Sequence, residues 1–291
     1  DRVTKEITHK MVQTSNDLSL LRGSKYYQSD VKDAYKQVKE RLHEGQYILF
    51  SGTSCQVAAL YSYLGESNTD RLITIDVLCH GVTSKRVIEE YLSSQKKQYG
   101  KEIIDFSFRT KEGNLGWQKG YGTRMHLFFA DGKEKVMEAP YDAFFLGFNS
   151  NFFLRESCYN CNYCGTGRVA DFTLGDFWGC TSERVSAENM WYGVSLILAN
   201  SIKAKEILPK LAKDMEIIPI DAGEAIPYNG ALVKPQIRPA YRDTFFKILK
   251  RDGYQKSIQR KYPYRFIKLR IKNLLRFILP RKILVKIMKN A

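Results

Sequence analysis

At 291 residues, 44% apolar and 26% charged, the chain has the composition of a folded globular protein, not of a disordered or fibrous one. No run approaches the roughly 18 uncharged apolar residues of a membrane-spanning helix. The formal charge of +15 is unevenly spread: ten Lys/Arg and no Asp/Glu fall in residues 261–291, leaving only five net charges for the other 260 residues. That distribution argues against a uniformly basic nucleic-acid binder.

The first residues, Asp1-Arg2-Val3-Thr4-Lys5, form no signal peptide and include no initiator Met, the expectation for a piece of a longer chain. Six cysteines without a secretory leader fit a reducing cytoplasm better than a disulfide scaffold. Residues 7–12 are expected to form a short strand, followed by a donor-rich, glycine-bearing stretch, Leu21-Arg22-Gly23-Ser24-Lys25-Tyr26-Tyr27-Gln28-Ser29. Asp30 then reads as an N-cap, with Val31, Tyr35, Val38 and Leu42 on one helical face and Gly45 as the stop.

Tyr47-Ile48-Leu49-Phe50 is a continuous apolar run of the kind buried on both faces of a parallel sheet. It enters the small-residue turn Ser51-Gly52-Thr53-Ser54-Cys55-Gln56 and an Ala/Leu-rich helix to Leu64. The unit repeats as Leu72–Leu78, then Cys79-His80-Gly81, a helix carrying Val87, Ile88, Tyr91 and Leu92, and a third strand over Ile103–Phe108. Two βαβ steps predict an α/β fold with a mostly parallel sheet, right-handed crossovers and flanking helices. Ligands in such sheets sit at the carboxyl ends of the strands, so Cys55 and Cys79 should lie close together.

Met125–Phe129 and Glu134–Met137 flank Ala130-Asp131-Gly132, the signature of a β-hairpin insert. Aromatic-rich, helical residues 141–153 then deliver the chain to Ser157-Cys158-Tyr159-Asn160-Cys161-Asn162-Tyr163-Cys164. Three thiols at two-residue gaps can face one point from a tight loop. The spacing alone leaves an iron–sulfur site, a zinc site and reduced structural cysteines open, with a redox dithiol a weaker reading. Cys55 and Cys79 complete a four-thiolate set with Cys158 and Cys161, while Cys164 and Cys180 are spares or alternates. His80 is a candidate acid/base group or a hydrogen-bond donor to a neighbouring ligand, with a satisfied structural histidine the competing role. Asp176, in Gly175-Asp176-Phe177-Trp178-Gly179, is a candidate catalytic group placed for a backbone-close ligand. His9, His43 and His126 read as structural. Gly193–Leu198 is a further buried strand, followed by a helix over 201–213 and a strand near 216–219.

Beyond residue 260, Ile267, Ile271, Leu274, Leu275 and Ile278 make one helical stripe, with Lys268, Arg270, Lys272 and Arg276 mostly on other faces before Pro280 interrupts. This reads as a basic amphipathic tail (261–291) behind a body of residues 1–260. Such a tail suits peripheral contact with the inner leaflet of a membrane; packing on the body is the competing fate.

Taken together and in order, Leu21–Tyr26, Ser51–Gln56, Cys79-His80-Gly81, Ser157–Cys161, Gly175–Gly179 and Gly193-Val194-Ser195 resemble the C-terminal region of the coenzyme F-420 hydrogenase/dehydrogenase beta-subunit family, over roughly residues 10–245. The resemblance implies an iron–sulfur flavoprotein oxidoreductase with a [4Fe–4S] cluster and FAD. Such a protein passes electrons between a ferredoxin-like donor domain or subunit and a reducible small-molecule acceptor such as a deazaflavin. It implies Cys55, Cys79, Cys158 and Cys161 as cluster ligands, with Cys164 an additional thiol. Arg22, Ser24, Lys25 and Gln28 become flavin contacts, and Gly52, Thr53 and Ser54 line the adjoining turn. Ser54 stands where proline is usual, and neither a ferredoxin-like segment nor a glycine-rich flavin element occurs in the sequence. Similar proteins are associated with bacterial surface-polysaccharide loci, so a zinc-stabilised, non-catalytic scaffold is the alternative.

Overall fold

The computed structural model describes residues 6–67, 69–110, 124–268 and 271. In chain order these form α1 (Ala34–His43), β1 (Ile48–Thr53), α2 (Ser54–Leu64), β2 (Leu72–Val77), α3 (Lys85–Tyr99), β3 (Ile103–Ser107), β4 (Arg124–Phe129), β5 (Glu134–Glu138), α4 (Ala143–Asn149) and α5 (Glu156–Tyr159). Then follow β6 (Phe172–Asp176), α6 (Ala187–Tyr192), β7 (Ser195–Ala199), α7 (Ile202–Leu211), α8 (Ala222–Ala225), α9 (Tyr241–Asp252) and α10 (Tyr254–Gln259).

The fold is mixed α/β, with a four-stranded sheet in the order β1-β2-β6-β7 and a three-stranded sheet in the order β3-β4-β5. β1 runs parallel to β2 from Ile48↔Leu72 to Thr53↔Val77. β6 is parallel to β2 but pairs only with its last three residues, Ile75 to Val77. β7 closes the edge antiparallel to β6. The expected β1–turn–α2–β2 unit is present, and Thr53 and Gln56 form a capping box at the start of α2, the Thr53 N–H donating to Gln56 Oε1 at 3.0 Å.

One strand pairs differently from expectation. Residues 103–107 do not extend the parallel sheet; they pair antiparallel with β4, the first arm of the expected hairpin. The place beside β2 belongs to β6, which arrives nearly a hundred residues later. Apolar alternation specifies that a segment is a strand but not which edge it joins, and α3 carries the chain away from β2 before β3 begins. Residues 7–12 contribute a single bridge, Thr8 to Asp30, not a strand. Residues 216–219 are irregular, and α1 begins at Ala34 behind Asp33, not behind Asp30.

The largest core joins the three-stranded sheet to its helices: Ile103 of β3 and Met125, Leu127 and Phe129 of β4 cluster with Phe144, Phe145, Phe148, Phe152 and Phe153, Tyr91 of α3, Phe245 of α9 and Tyr254 and Ile258 of α10. A second cluster, Val38, Phe50, Val57, Leu60, Leu64 and Leu72, glues α1 and α2 onto β1 and β2. A third gathers Phe177, Cys180, Leu196, Ala225 and Leu232 around the β6–β7 end. Most of the basic tail lies outside the described residues. Its start is helical over 263–268, and Phe266 packs on the main core.

Candidate functional site

The site is assembled at the carboxyl edge of β1 and β2. Cys55 lies in the first turn of α2 and Cys79 two residues beyond β2. Cys158 sits in α5, and Cys161 and Cys164 follow in the loop before β6. Cys55 is exposed, with Sγ 3.1 Å from Thr53 Oγ1. Cys79 is partly exposed as a residue, but its sulfur lies deep. Burial pushes that thiol up to about 12, and nearby Cys158, Cys55 and Cys161 add to the rise.

The other thiols report the same proximity. Burial raises the Cys158 thiol, as do Cys161 and Cys55, against the pull of the Val82 backbone and Arg155. Cys164 is pushed up to about 11, first by burial and then by the charge and hydrogen bond of Cys161, with Arg168 opposing. Cys79 is thus an electrostatic neighbour of Cys55, Cys158 and Cys161, and Cys164 joins the group through Cys161 and Cys158. Cys180 is not among them; it is buried in the third core cluster, beside Phe177 and Leu196. Among the described residues, no three His, Cys, Asp or Glu side chains close on a single-ion position.

Gly81 explains how two of these segments meet. Its φ is +136°, and a Cβ there would lie 2.8 Å from Leu154 Cδ1 and 3.4 Å from the Cβ of Cys158. Glycine is thus required both by conformation and by space, and it lets the Cys79 loop lie directly on α5. His80, between them, has a local role. Its Nε2 meets Asn151 Oδ1 at 2.7 Å, its ring tilts on Phe148 at 4.9 Å, and burial lowers its pKa, so it is neutral at pH 7.

The donor-rich loop runs over the same edge. Gln28 accepts from Arg155 Nη1 at 2.8 Å, and Gln56 Nε2 donates to Ser29 Oγ at 2.9 Å, tying the loop to α5 and α2. Lys25 turns back on its own segment: Nζ donates to the carbonyls of Leu21, Arg22 and Gly23 at 3.1, 3.0 and 2.8 Å, and burial lowers its pKa. Arg22 and Ser24 are exposed. Ser24 hydrogen-bonds the Tyr26 phenol, which burial pushes up and which Arg109 also reaches. Arg109 in turn pairs with Asp176 at 2.9 Å. Ser24 and Asp176, expected separately, are thus joined through two residues that the sequence did not single out.

The largest omission is Arg168. Its guanidinium and the Asp76 carboxylate form an ion pair at 2.8 Å with side chains 1% and 0% exposed. Nη2 also donates to Ser54 Oγ at 2.6 Å and the Val77 carbonyl at 3.2 Å, Nη1 to the Tyr163 carbonyl at 2.9 Å, and Nε to Thr173 Oγ1 at 3.1 Å. A readable signal existed: Asp76 is a lone charge inside the apolar run Leu72–Val77, and a buried charge requires a partner. A cavity of about 780 Å³ lies elsewhere, lined by Gln95, Tyr99, Met137, Tyr254, Gln255 and Phe266, and contains none of the predicted site residues.

Comparison with known proteins bears on the same segments. The family described as the C terminus of the coenzyme F420 hydrogenase/dehydrogenase beta subunit matches residues 45–223, which include all six cysteines and Arg168. Among solved structures the chain is similar to one from the xenon-derivatised F420-reducing [NiFe] hydrogenase complex of Methanosarcina barkeri. The two share 15% identity, with 84% of this chain and 75% of that chain covered and a TM-score of 0.48. No curated protein matches.

Proposed function

The chain belongs to the coenzyme F420 hydrogenase/dehydrogenase beta-subunit family, and from that premise we propose that it is an iron–sulfur oxidoreductase whose redox centre is held by Cys55, Cys79, Cys158 and Cys161. One observation carries the reading: thiols from three separate segments converge at one sheet edge, close enough that Cys158, Cys55 and Cys161 add to the burial-driven rise of the Cys79 thiol. Like charges so placed cannot all ionise without a cationic group between them, and a thiol-only donor set is the ligand chemistry of an iron–sulfur cluster. A [4Fe–4S] cluster bound there supplies one-electron transfer.

The chain's own residues would do the rest. Gly81 and the α2 cap fix the segments that carry Cys79 and Cys55, Thr53 Oγ1 hydrogen-bonds Cys55, and Ser29 ties the loop over residues 22–29 to α2 through Gln56. Burial of Cys79 excludes water from one wall. The same four thiols would also suit a structural zinc ion, so the zinc-scaffold alternative is separated by the metal that co-purifies.

FAD fits less well at the residues expected for it. The Lys25 ammonium is occupied by three carbonyls, so it offers no phosphate grip as placed, while Gln28 uses its side-chain carbonyl to accept from Arg155. No electron step is therefore assigned to a flavin at Lys25. Arg22 and Ser24 remain the exposed polar groups of that loop. The electron donor, by the same reading, is a ferredoxin-like domain or subunit, and the acceptor a reducible small molecule. No helix among the described residues is long and apolar enough to cross a membrane; a cytoplasmic site of action is part of the proposal.

Anaerobic purification tests it. Iron and acid-labile sulfide should co-purify, Cys158→Ser should lose most of the iron and bleach the visible absorption, and Cys180→Ser should match the wild type. A colourless anaerobic preparation with stoichiometric zinc, or equal iron loss in both variants, would sink the assignment.

A further inference from the structure

We propose that Arg168 is the positioning residue of the thiol site, one guanidinium fixing the mutual placement of the three segments that carry Cys55, Cys79 and the Cys161–Cys164 pair. The contacts are specific to those segments. Ser54, bound at 2.6 Å, immediately precedes Cys55 in the first turn of α2. Asp76 and the Val77 carbonyl, at 2.8 and 3.2 Å, are the last residues of β2 before the chain reaches Cys79. The Tyr163 carbonyl, at 2.9 Å, belongs to the residue between Cys161 and Cys164 on the Cys164 side. A fifth bond, to Thr173 Oγ1 at 3.1 Å, anchors the guanidinium to β6.

The side chain is 1% exposed and its acidic partner 0%, so water does not compete for these bonds. Arginine suits this position because its planar fork presents donors in several fixed directions, whereas a lysine ammonium is a compact point charge on a flexible stem. Sequence separation reinforces the point. Ser54 and Asp76 are 114 and 92 residues from Arg168, so local chain geometry cannot set these distances. The inference depends on the iron–sulfur reading only for what the thiols hold; the placement of the thiols themselves is a property of the metal-free chain.

The test uses the full chain and two variants. Arg168→Lys keeps a charge for Asp76 while giving up the fork. Arg168→Gln with Asp76→Asn removes both buried charges, so that neither is left unpaired. Two readouts are taken. The first is iron and sulfide per chain, with the electron paramagnetic resonance spectrum, after anaerobic reconstitution. The second is the reaction of the reduced, metal-free protein with dibromobimane, mapping by mass spectrometry which thiols become bridged. Bridging of Cys55 or Cys79 to Cys161 or Cys164 reports assembly between segments, and Cys161–Cys164 bridging reports the local loop.

In Arg168→Lys, iron content should fall below half of wild type. The ratio of inter-segment to local bridging should drop about tenfold, because proximity sets the effective concentration of the thiols. Circular dichroism should remain that of a folded chain, which separates positioning from general support of the fold. Unchanged bridging overturns the proposal, as does unchanged iron with an unaltered spectrum. If the wild type takes up no iron, the cluster reading fails and the bridging ratio alone decides on Arg168. If Arg168→Lys does not fold, the charge-neutral double variant is put through the same measurement: a drop in the ratio supports the proposal and an unchanged ratio overturns it.

Discussion

Replacing Asp142 by asparagine should remove a pH dependence that the wild-type fold carries. Asp142 caps α4, its Oδ1 accepting from the Phe145 N–H at 3.0 Å and its Oδ2 from the Tyr91 hydroxyl at 2.7 Å. It is 1% exposed, and burial pushes its carboxyl from an ordinary 3.8 to about 6 even though both hydrogen bonds pull the other way. The unfolded chain releases this proton near pH 4, while the folded chain keeps it until about 6. Between those values the folded state binds more protons, so its stability falls as pH rises and then levels off. At 1.36 kcal/mol for each unit of pKa, the loss attributable to this one group is about 3 kcal/mol. Asparagine keeps the cap acceptor and presents an amide to Tyr91, but it cannot ionise. Urea unfolding of both proteins from pH 4 to 7.5, in the same metal-loading state, measures the effect. The wild type should lose about 3 kcal/mol relative to Asp142→Asn across that range. Parallel stability curves would refute the reasoning, because every other titrating group is common to the two chains.

Three further outcomes are expected. A Cβ on Gly175 would come within 2.6 Å of Leu78 Cδ1, so Gly175→Ala should cost about 1–3 kcal/mol in urea unfolding and lower iron retention through the neighbouring Cys79. Lys25→Ala should speed amide exchange at residues 21–25 in the absence of any flavin, since Nζ holds three carbonyls there; weaker FAD binding with unchanged exchange would instead place Nζ on a phosphate. The basic tail should bind anionic vesicles with about 1 kcal/mol per Lys/Arg near the surface, weakening with salt; co-sedimentation that persists after deletion of residues 265–291 would exclude the tail as an anchor.

What could be read from the sequence follows from how local each signal is. The β1–α2 unit was legible because an apolar run, a small-residue turn and a helix succeed one another without interruption. The hairpin was legible from Asp131-Gly132, where Gly132 takes a φ of +75°. The convergence of Cys55 and Cys79 followed from parallel topology, which the β1–β2 register bears out. The pairing of residues 103–107 was not legible, because a strand's partner is decided by where the chain returns. Lys25 shows a different limit: a lysine two residues after a glycine in a polar loop looks like an anion grip, but its reach back to the Leu21, Arg22 and Gly23 carbonyls depends on how the backbone folds over residues 21–25. Asp76, a lone charge in an apolar strand, announced that it needed a partner, but nothing local named Arg168, 92 residues away, as that partner.

The sheet's polar interior bears on why that meeting is worth its desolvation cost. Thr74 Oγ1 and N–H both donate to Asp171, Ser201 donates to the other Asp171 oxygen, and Thr173 and Arg168 saturate Asp76. An apolar filling of the same volume would stabilise the fold at least as well, because buried ion pairs seldom outperform well-packed hydrophobic side chains. An apolar filling, however, tolerates sliding. β6 meets β2 over only three residues, too few for ladder bonds alone to fix the register against a one-step slip. A slip would turn Thr173 away from Asp76 and carry the loop bearing Cys161 and Cys164 off the carboxyl edge. The buried polar set penalises that slip, since each misplaced group would lose its partner out of reach of water. The strand contact that is weakest in length is thus the one reinforced by charge, and it lies directly beneath the thiols whose spacing depends on it.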